Sequence, residues 1–244
     1  MTRPIWLLVL ALVLAGCYVP SPKRGQTESL QQTFGLAGAE SVSVSITLGV
    51  GKLRLAGGAD SLLDARFEYN IPDWKPTVTY DVADGRGRLV VEQPSRVVGA
   101  TWPGNVRYDW DLKLNPGVPL ELEVNMGVGK SEVDLRGLDV RRFSLAAGVG
   151  EGRIDLSGPR TSDLDASIKA GVGKLTLILP ADIGVRVKAQ GGLGHVNAQG
   201  LAAQDDAWVN KSWGRTGTSL RIEVQGGIGE VDMRLTDEPA GGSI

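Results

Sequence analysis

Residues 127–173 read GVGKSEVDLRGLDVRRFSLAAGVGEGRIDLSGPRTSDLDASIKAGVG and contain the frame Gly-Val-Gly three times, with first glycines at 127, 148 and 171. Outward from this stretch, Gly-X-Gly frames with an apolar central residue also begin at Gly49, Gly192 and Gly227. From Gly127 onward the first glycines are 21, 23, 21 and 35 residues apart. A near-constant step of this length is typical of a stacked repeat, so the sequence predicts a solenoid.

Apolar residues alternate with polar ones on both sides of a frame. Before the last frame they are Leu220, Ile222 and Val224, and after it they are Val231 and Met233. Alternation at period two predicts a strand with one buried face. The apolar positions change from odd to even offsets across the frame. A bend or bulge must absorb that one-residue shift, and glycine permits the backbone angles that this requires.

The repeat length decides the fold class. A step of about 22 residues is too short for a strand, a helix and their loops, but it fits one coil of a β-helix built from two or three short strands. We therefore predict an all-β fold, a single-stranded β-helix or solenoid with 21–23 residues per regular coil. Each coil is expected to pair with the next one along the chain, and the two open ends need caps.

The N-terminus has the features of a lipoprotein signal. Arg3 is followed by an apolar run from Ile5 to Leu14 and then by Ala15, Gly16 and Cys17. The run is short for a membrane span, and a short basic start with small residues before the break is typical of a secretory signal. Leu-Ala-Gly-Cys resembles the bacterial lipobox. The resemblance implies cleavage before Cys17, a diacylglycerol on its thiol, and acylation of the new amine, typically with palmitate. The alternative is an ordinary signal with a chance cysteine.

These features divide the chain into four predicted parts. They are a lipoprotein signal peptide (1–16), a flexible tether (17–39), the solenoid (40–236) and a disordered tail (237–244). The residue after Cys17 is Tyr18 rather than Asp. By the usual sorting rule, the lipoprotein would then go to the outer membrane if the cell has one.

Composition argues against several classes of function. The formal net charge is −2, and removing residues 1–16, whose only charged residue is Arg3, makes it −3. This near-balance gives no electrostatic reason to expect nucleic acid binding. Cys17 is the only cysteine and His195 the only histidine, which leaves no His/Cys metal cluster or Ser-His-Asp triad to assemble. We predict no catalytic residues, no metal and no cofactor.

One segment resembles the end of a phosphate-binding loop. It runs from Gly127 through Lys130 and Ser131, but Val124 occupies the position where that loop needs its first glycine. The position after each frame is occupied by Lys52, Lys130, Glu151, Lys174, His195 and Glu230. A position that accepts both charges indicates a solvent-exposed column rather than a nucleotide site.

A pair of acidic residues provides the enzymatic alternative. Asp134 and Asp155 share one offset in adjacent coils and are expected to stack about 4.8 Å apart on an outward face. Stacked carboxyl groups could share a proton or a cation, so the alternative is a carbohydrate-active β-helix acting on an envelope polysaccharide. Glu132 and Arg153 stack beside the pair with opposite charge, and Ile178 follows in the next coil. This pattern favours an ordinary mixed surface.

Residues 62–119 lack the frame but contain strand-like runs, so we predict that they form an irregular part of the same body. The predicted strands are 63–69, 78–82, 88–93 and 106–114. The tryptophans of the mature chain all lie outside the regular coils: Trp74, Trp102, Trp110, Trp208 and Trp213. Because tryptophan is enriched at recognition surfaces, these are the candidate partner-binding residues. The alternative is that they pack excursions against the body.

Three segments together resemble the bacterial toast-rack domain family. They are FEYNIPDWKP (67–76), DLKLNPGVPL (111–120) and GGLGHVNA (191–198). The resemblance covers nearly all of residues 41–235. It implies a right-handed β-helix-like fold in the cell envelope, close to the adhesin-like and cell-wall-active antibiotic response families. It implies no catalytic residues.

The sequence therefore predicts a lipid-anchored, non-enzymatic envelope solenoid that acts as an interaction, scaffold or adhesin-like module. Its expected partners are the membrane, through Cys17, and an envelope protein or the cell-wall polymer. Open solenoid ends would also allow two copies to pair as a homodimer. Nucleic acid is not an expected partner.

Overall fold

The computed structural model describes residues 24–94 and 105–236, with the backbone alone at Leu193, and forms one sheet of thirteen strands. The strands are β1 (Glu28–Phe34), β2 (Ser41–Gly57), β3 (Leu63–Tyr69), β4 (Thr77–Ala83), β5 (Arg86–Glu92), β6 (Tyr108–Leu114), β7 (Leu120–Asp134), β8 (Val140–Asp155), β9 (Leu164–Leu179), β10 (Gly184–Gln199), β11 (Ala202–Gln204), β12 (Ala207–Val209) and β13 (Ser219–Leu235). The helical structure of these residues is one 3₁₀ turn, Pro72–Trp74. No helix in the described ranges is long and apolar enough to span a membrane. The predicted all-β solenoid is confirmed.

Each Gly-X-Gly frame lies in the middle of one long strand. These six strands, β2, β7, β8, β9, β10 and β13, have 15 to 17 residues. The second glycine has φ of 144° at Gly129 and 143° at Gly150, values that essentially only glycine adopts. A β-carbon at Gly150 would lie 1.8 Å from the carbonyl oxygen of Gly129. The frame therefore divides each strand into a first arm, before the glycines, and a second arm, after them. Buried residues alternate with exposed ones in both arms, but the alternation is shifted by one residue across the frame.

The long strands are parallel and pair in register, so the frames of successive coils stack. The central residues form one column: Val50, Val128, Val149, Val172, Ile228 and Leu193. Side chains from both arms enter a single core, in which Ile46, Leu55 and Ile168 are completely buried. Burial of these faces along the solenoid supplies the main stabilisation of the fold.

The spatial order of the last two coils corrects one prediction. The strands follow the order β9-β13-β10, so the coil of β13 inserts between its two predecessors. The size of the inward side chains accounts for this order. In β10, Ala189, Val196 and Ala198 are only half-buried at the end of the stack. In β13, the larger Val224 and Met233 are buried inside it. The coil with the smaller inward side chains ends the solenoid, where burial contributes least.

The irregular region belongs to the same body, as predicted. β5 pairs with the first arm of β2 and β6 with its second arm, so the two strands together replace one coil. β4 pairs antiparallel with the other edge of β5, and β3 pairs antiparallel with the other edge of β6. The strand predicted at 63–69 has the observed bounds, Leu63–Tyr69.

The predicted tether is too long at its C-terminal end. Glu28–Phe34 forms β1, which pairs antiparallel with β3, and the N–H of Gly25 donates to the carbonyl oxygen of Asn70 at 2.8 Å. β1 is an edge strand on which only Leu30 and Phe34 pack against the core, so its polar composition concealed the strand. The predicted signal peptide, the tether up to residue 23 and the predicted tail 237–244 lie outside the described residues.

Two buried asparagines hold the connections between strands. The amide nitrogen of Asn115 donates to the carbonyl oxygens of Asp60 and Ser61, both at 3.0 Å, and its Oδ1 accepts the N–H of Gly117 at 2.7 Å. Asn210 makes the same kind of backbone contacts at the start of β10. Asn115 thus holds the connection after β6 against the connection between β2 and β3.

We expect Asn115→Ala to lower the free energy of unfolding by about 2–3 kcal/mol, because several buried backbone groups lose their partner. Urea denaturation followed by fluorescence measures this loss. The control is Asn125→Ala, which removes an exposed contact with Glu123 and should cost no more than about 0.5 kcal/mol. Equal midpoints for the two variants would contradict the structural role of Asn115.

Candidate interaction surfaces

Two of the candidate tryptophans lie in the core. Trp74 is 1% exposed and Trp110 2% exposed. Trp110 meets Phe67 edge-on at 5.3 Å between ring centroids, and Trp74 meets Tyr108 at 5.6 Å. The hydroxyl of Tyr108 donates to the carbonyl oxygen of Trp74, and burial raises the pKa of Tyr108 above its ordinary value. The prediction that Trp74 and Trp110 contact a partner is therefore wrong, because neither side chain reaches the surface.

The other tryptophan candidates stay predictions. Trp208 lies in β12, opposite Val187 at the outer edge of β10, and Trp213 follows in the next turn; both are half-buried. Their exposed parts remain available to a partner. Trp102 and the predicted lipidation site Cys17 lie outside the described residues.

Asp134 and Asp155 stack in register, as expected from their offset. Arg136 lies between them, with Nη2 2.6 Å from Asp134 Oδ2 and Nε 3.8 Å from Asp155 Oδ2. Burial works to raise the pKa of Asp134, but the hydrogen bonds from Arg136 outweigh it and hold that pKa below its usual value. A general acid must keep its proton at the working pH. The arrangement therefore suits an ion triad rather than an acid catalyst.

The residues that follow the frames form the expected outward column. Lys130 Nζ lies 2.7 Å from Glu151 Oε2, and Lys174 Nζ lies 3.1 Å from Glu230 Oε2. His195 is exposed at the end of this column and pairs in register with Glu230. Lys52 and Lys130 are neighbours at one end of the column, and from Lys130 to Glu230 the charges alternate, because β13 lies between β9 and β10.

A groove of about 860 Å³ crosses the second arms and the two strands beside them. It spans six neighbouring strands, from β3 through β6, β2, β7 and β8 to β9. Seven cationic and five acidic side chains line it: Lys52, Arg54, Arg66, Arg107, Lys130, Arg153 and Lys174, with Glu68, Asp109, Asp111, Glu132 and Glu151. Within the described ranges, Lys52 and Arg153 have no ion pair within 4.0 Å. The groove is thus a mixed-charge surface in which these two cations lack a close ion pair, although the charge of Arg153 helps to lower the pKa of Asp134.

A second surface is an apolar line at the frames, which we name the valine ridge. It consists of Val128, Val149, Val172 and Ile228, which are 46%, 50%, 47% and 55% exposed. These four are all the exposed large hydrophobic residues of the described ranges. The sequence analysis did not predict the ridge. The available signal is the apolar residue at the centre of every frame, which the alternation of the flanking strands does not assign to the buried or to the exposed side.

Comparison with known proteins gives one family and several solved structures that resemble the chain. The sequence model of the family described as the N-terminal domain of toast_rack matches residues 22–178. A Clostridium sporogenes protein named as a putative cell adhesion protein is 30% identical, with a TM-score of 0.84 over 86% of this chain and 100% of its own. A Bacteroides fragilis protein named as a putative adhesin is 12% identical, with a TM-score of 0.38 over 88% of this chain and 100% of its own. No curated protein matches the chain.

Proposed function

The chain belongs to the family of the N-terminal domain of toast_rack, and from that premise we propose that it is a lipid-anchored protein of the bacterial cell envelope that works as a non-enzymatic, adhesin-like interaction module. The observation that carries this proposal is the mixed-charge groove across the second arms. The name of the C. sporogenes relative, a cell adhesion protein, supports the same class of function.

The shape of the groove suits a polymer. Six neighbouring strands at about 4.8 Å each give a surface about 24 Å long. An open surface of that length fits an extended chain, whereas small-molecule sites are concave and bury most of their ligand. Charged groups of both signs along the groove would match a wall polymer whose peptide stems carry carboxylates and amines. Lys52 and Arg153, which have no ion pair within 4.0 Å in the described residues, are the cations best placed to meet carboxylates of the polymer.

The anchor would hold this surface at the membrane. Gly25, whose N–H donates to the carbonyl oxygen of Asn70, lies eight positions after Cys17. Eight residues span at most about 28 Å. A solenoid on so short a tether would present its surface to polymers and proteins close to the membrane.

We expect a chain that begins at Tyr18, without the signal and Cys17, to stay out of the membrane fraction and to sediment with purified cell-wall polymer. The Lys52→Glu/Arg153→Glu variant should weaken that binding at least tenfold, because it reverses two groove charges without breaking an ion pair of the described residues. The matched control is Arg88→Glu/Lys169→Glu, which changes two exposed cations outside the groove, one in β5 and one in the first arm of β9, and should bind like the parent.

Other outcomes would redirect the proposal. Equal binding by the charge-reversed variant and its control would exclude the groove. Loss of binding in Trp208→Ala/Trp213→Ala alone would move the contact to the β11–β12 end of the sheet. Release of sugar fragments that stops in Asp134→Asn/Asp155→Asn would contradict the non-enzymatic role, and failure of the parent protein to bind would exclude the polymer as partner.

A further inference from the structure

The valine ridge is an organised apolar surface rather than a scatter of single residues. Its four members occupy adjacent strands in the order β7, β8, β9 and β13. At about 4.8 Å per strand the line is about 14 Å long. Half-buried Val50 extends it by one strand. Single exposed apolar side chains are common on soluble proteins, but a contiguous line of them marks a surface that contacts something apolar.

The N-terminal segment enters the body at the level of this ridge. Glu28, the first residue of β1, pairs with Tyr69, and Tyr69 pairs with Tyr108. A β-carbon on Gly51 would lie 2.1 Å from the carbonyl oxygen of Tyr108, so Tyr108 is directly beside the frame of β2. Along the strand direction, the start of β1 and the frames are therefore at the same height.

The length of the chain before β1 brings the anchor close to the ridge. Four strand spacings separate β1 from β7, which carries Val128; they amount to about 19 Å. The eight residues from Cys17 to Gly25 can span at most about 28 Å, which covers this distance. A lipid at Cys17 would thus hold the frame side of the solenoid, and not its opposite side, near the bilayer.

We propose that the valine ridge is a membrane-contact surface whose occupant is the lipid bilayer. The proposal rests on the lipid anchoring at Cys17 that is part of the proposed function. The ridge side chains enter the boundary between headgroups and acyl chains, as the apolar face of an interfacial segment does. Lys130 and Lys174, in the column that follows the frames, are paired there with Glu151 and Glu230 and also lie where an ammonium group can meet lipid phosphates.

The contact orients the whole solenoid. The strands then run away from the membrane on both sides of the ridge, and the connections between coils face the opposite direction. The groove begins beside the frames at Lys52, Lys130 and Lys174 and extends away from the membrane. An anchored polymer-binding surface needs such an orientation, because a freely rotating solenoid would present the groove to the bilayer part of the time.

The test uses the mature lipoprotein in vesicles of phosphatidylethanolamine and phosphatidylglycerol, some with nitroxide-labelled acyl chains. Acylation consumes the thiol of Cys17, so a cysteine introduced at Val149 or Val172 is the one thiol open to a bimane fluorophore. The control position is Thr161, exposed in the connection between β8 and β9. We expect nitroxide lipids to reduce emission at least twofold at both ridge positions and to leave the label at Thr161 unchanged.

A charged variant separates contact from anchoring. Val149→Glu/Val172→Glu should stay on the vesicles through Cys17 and should lose the quenching of a bimane placed at Val128→Cys. Both substituted side chains are about half exposed, and the two carboxylates would lie in register on adjacent strands, so urea denaturation should give one cooperative transition with a slightly lowered midpoint and exclude misfolding. Quenching that persists in this variant would overturn the proposal.

The remaining outcomes also decide the question. Anchored protein without quenching at either ridge position overturns the membrane contact alone. Ridge labels that instead approach each other between two molecules, seen as cross-linking through Val172→Cys, overturn it in favour of a second copy of the chain. A Cys17 peptide without lipid mass, and protein absent from the vesicles, overturn the anchoring of the proposed function and the inference with it.

Discussion

Gly150→Ala is expected to lower the free energy of unfolding by about 4 kcal/mol or more, because two independent penalties act at this position. Its φ of 143° lies in a region that side-chain-bearing residues avoid. The new β-carbon would also lie 1.8 Å from the carbonyl oxygen of Gly129. That oxygen belongs to the backbone of a paired strand, so it can move only if β7 and β8 separate locally.

Urea denaturation followed by circular dichroism and fluorescence measures this loss. The matched control is Gly191→Ala, next to the frame of β10, where a β-carbon meets no atom within 4 Å and φ is outside the left-handed region. The control should change stability by no more than about 0.5 kcal/mol. If Gly150→Ala kept the parent midpoint, the frame could not be the bend that sets the phase of each strand.

Local sequence signals predicted the strands because each carries its own alternation. Leu63–Tyr69 has four inward residues at period two and was predicted with its observed bounds. β1 was missed because an edge strand has one partner and needs few apolar side chains. The insertion of β13 between β9 and β10 was also missed, since all three strands carry the same frame and pair in the same register. The sizes of the inward residues distinguish them, together with ion pairs between β9 and β13 such as those of Lys174 with Glu230 and Asp232.

The interaction surfaces were harder to predict than the strands. The outward column of Lys130, Glu151 and Lys174 was predicted from its mixed charges, but the groove depends on strands that are distant in sequence, such as β3 and β9. Partner contact was predicted at Trp74 and Trp110 from residue type alone. Residue type does not decide this, because a large aromatic side chain stabilises a core as readily as a binding surface. Burial, which decides between the two, follows from tertiary packing.

Removing residues 219–244 is expected to abolish the ordered structure of the last coils. β13 supplies the partner of β9 on one side and of β10 on the other. Its five inward residues are buried: Leu220, Ile222, Val224, Val231 and Met233. At about 1.5–3 kcal/mol each, their burial is comparable to the whole stability of a domain. β10 alone should not replace β13 beside β9, because Ala189 and Ala198 would leave cavities where Val224 and Met233 now pack.

Hydrogen exchange with mass spectrometry distinguishes these states segment by segment. In the truncated chain, amides of β9 and β10 should exchange at least a hundredfold faster than in the full chain. Amides of β2 and β7 should keep their protection, because coils of a solenoid are stabilised by their nearest neighbours. A chain ending at Thr236 retains β13 and controls for the shortened terminus. Protected amides in β10 of the truncated chain would mean that β10 had taken the place of β13, and the size argument for the strand order would then fail.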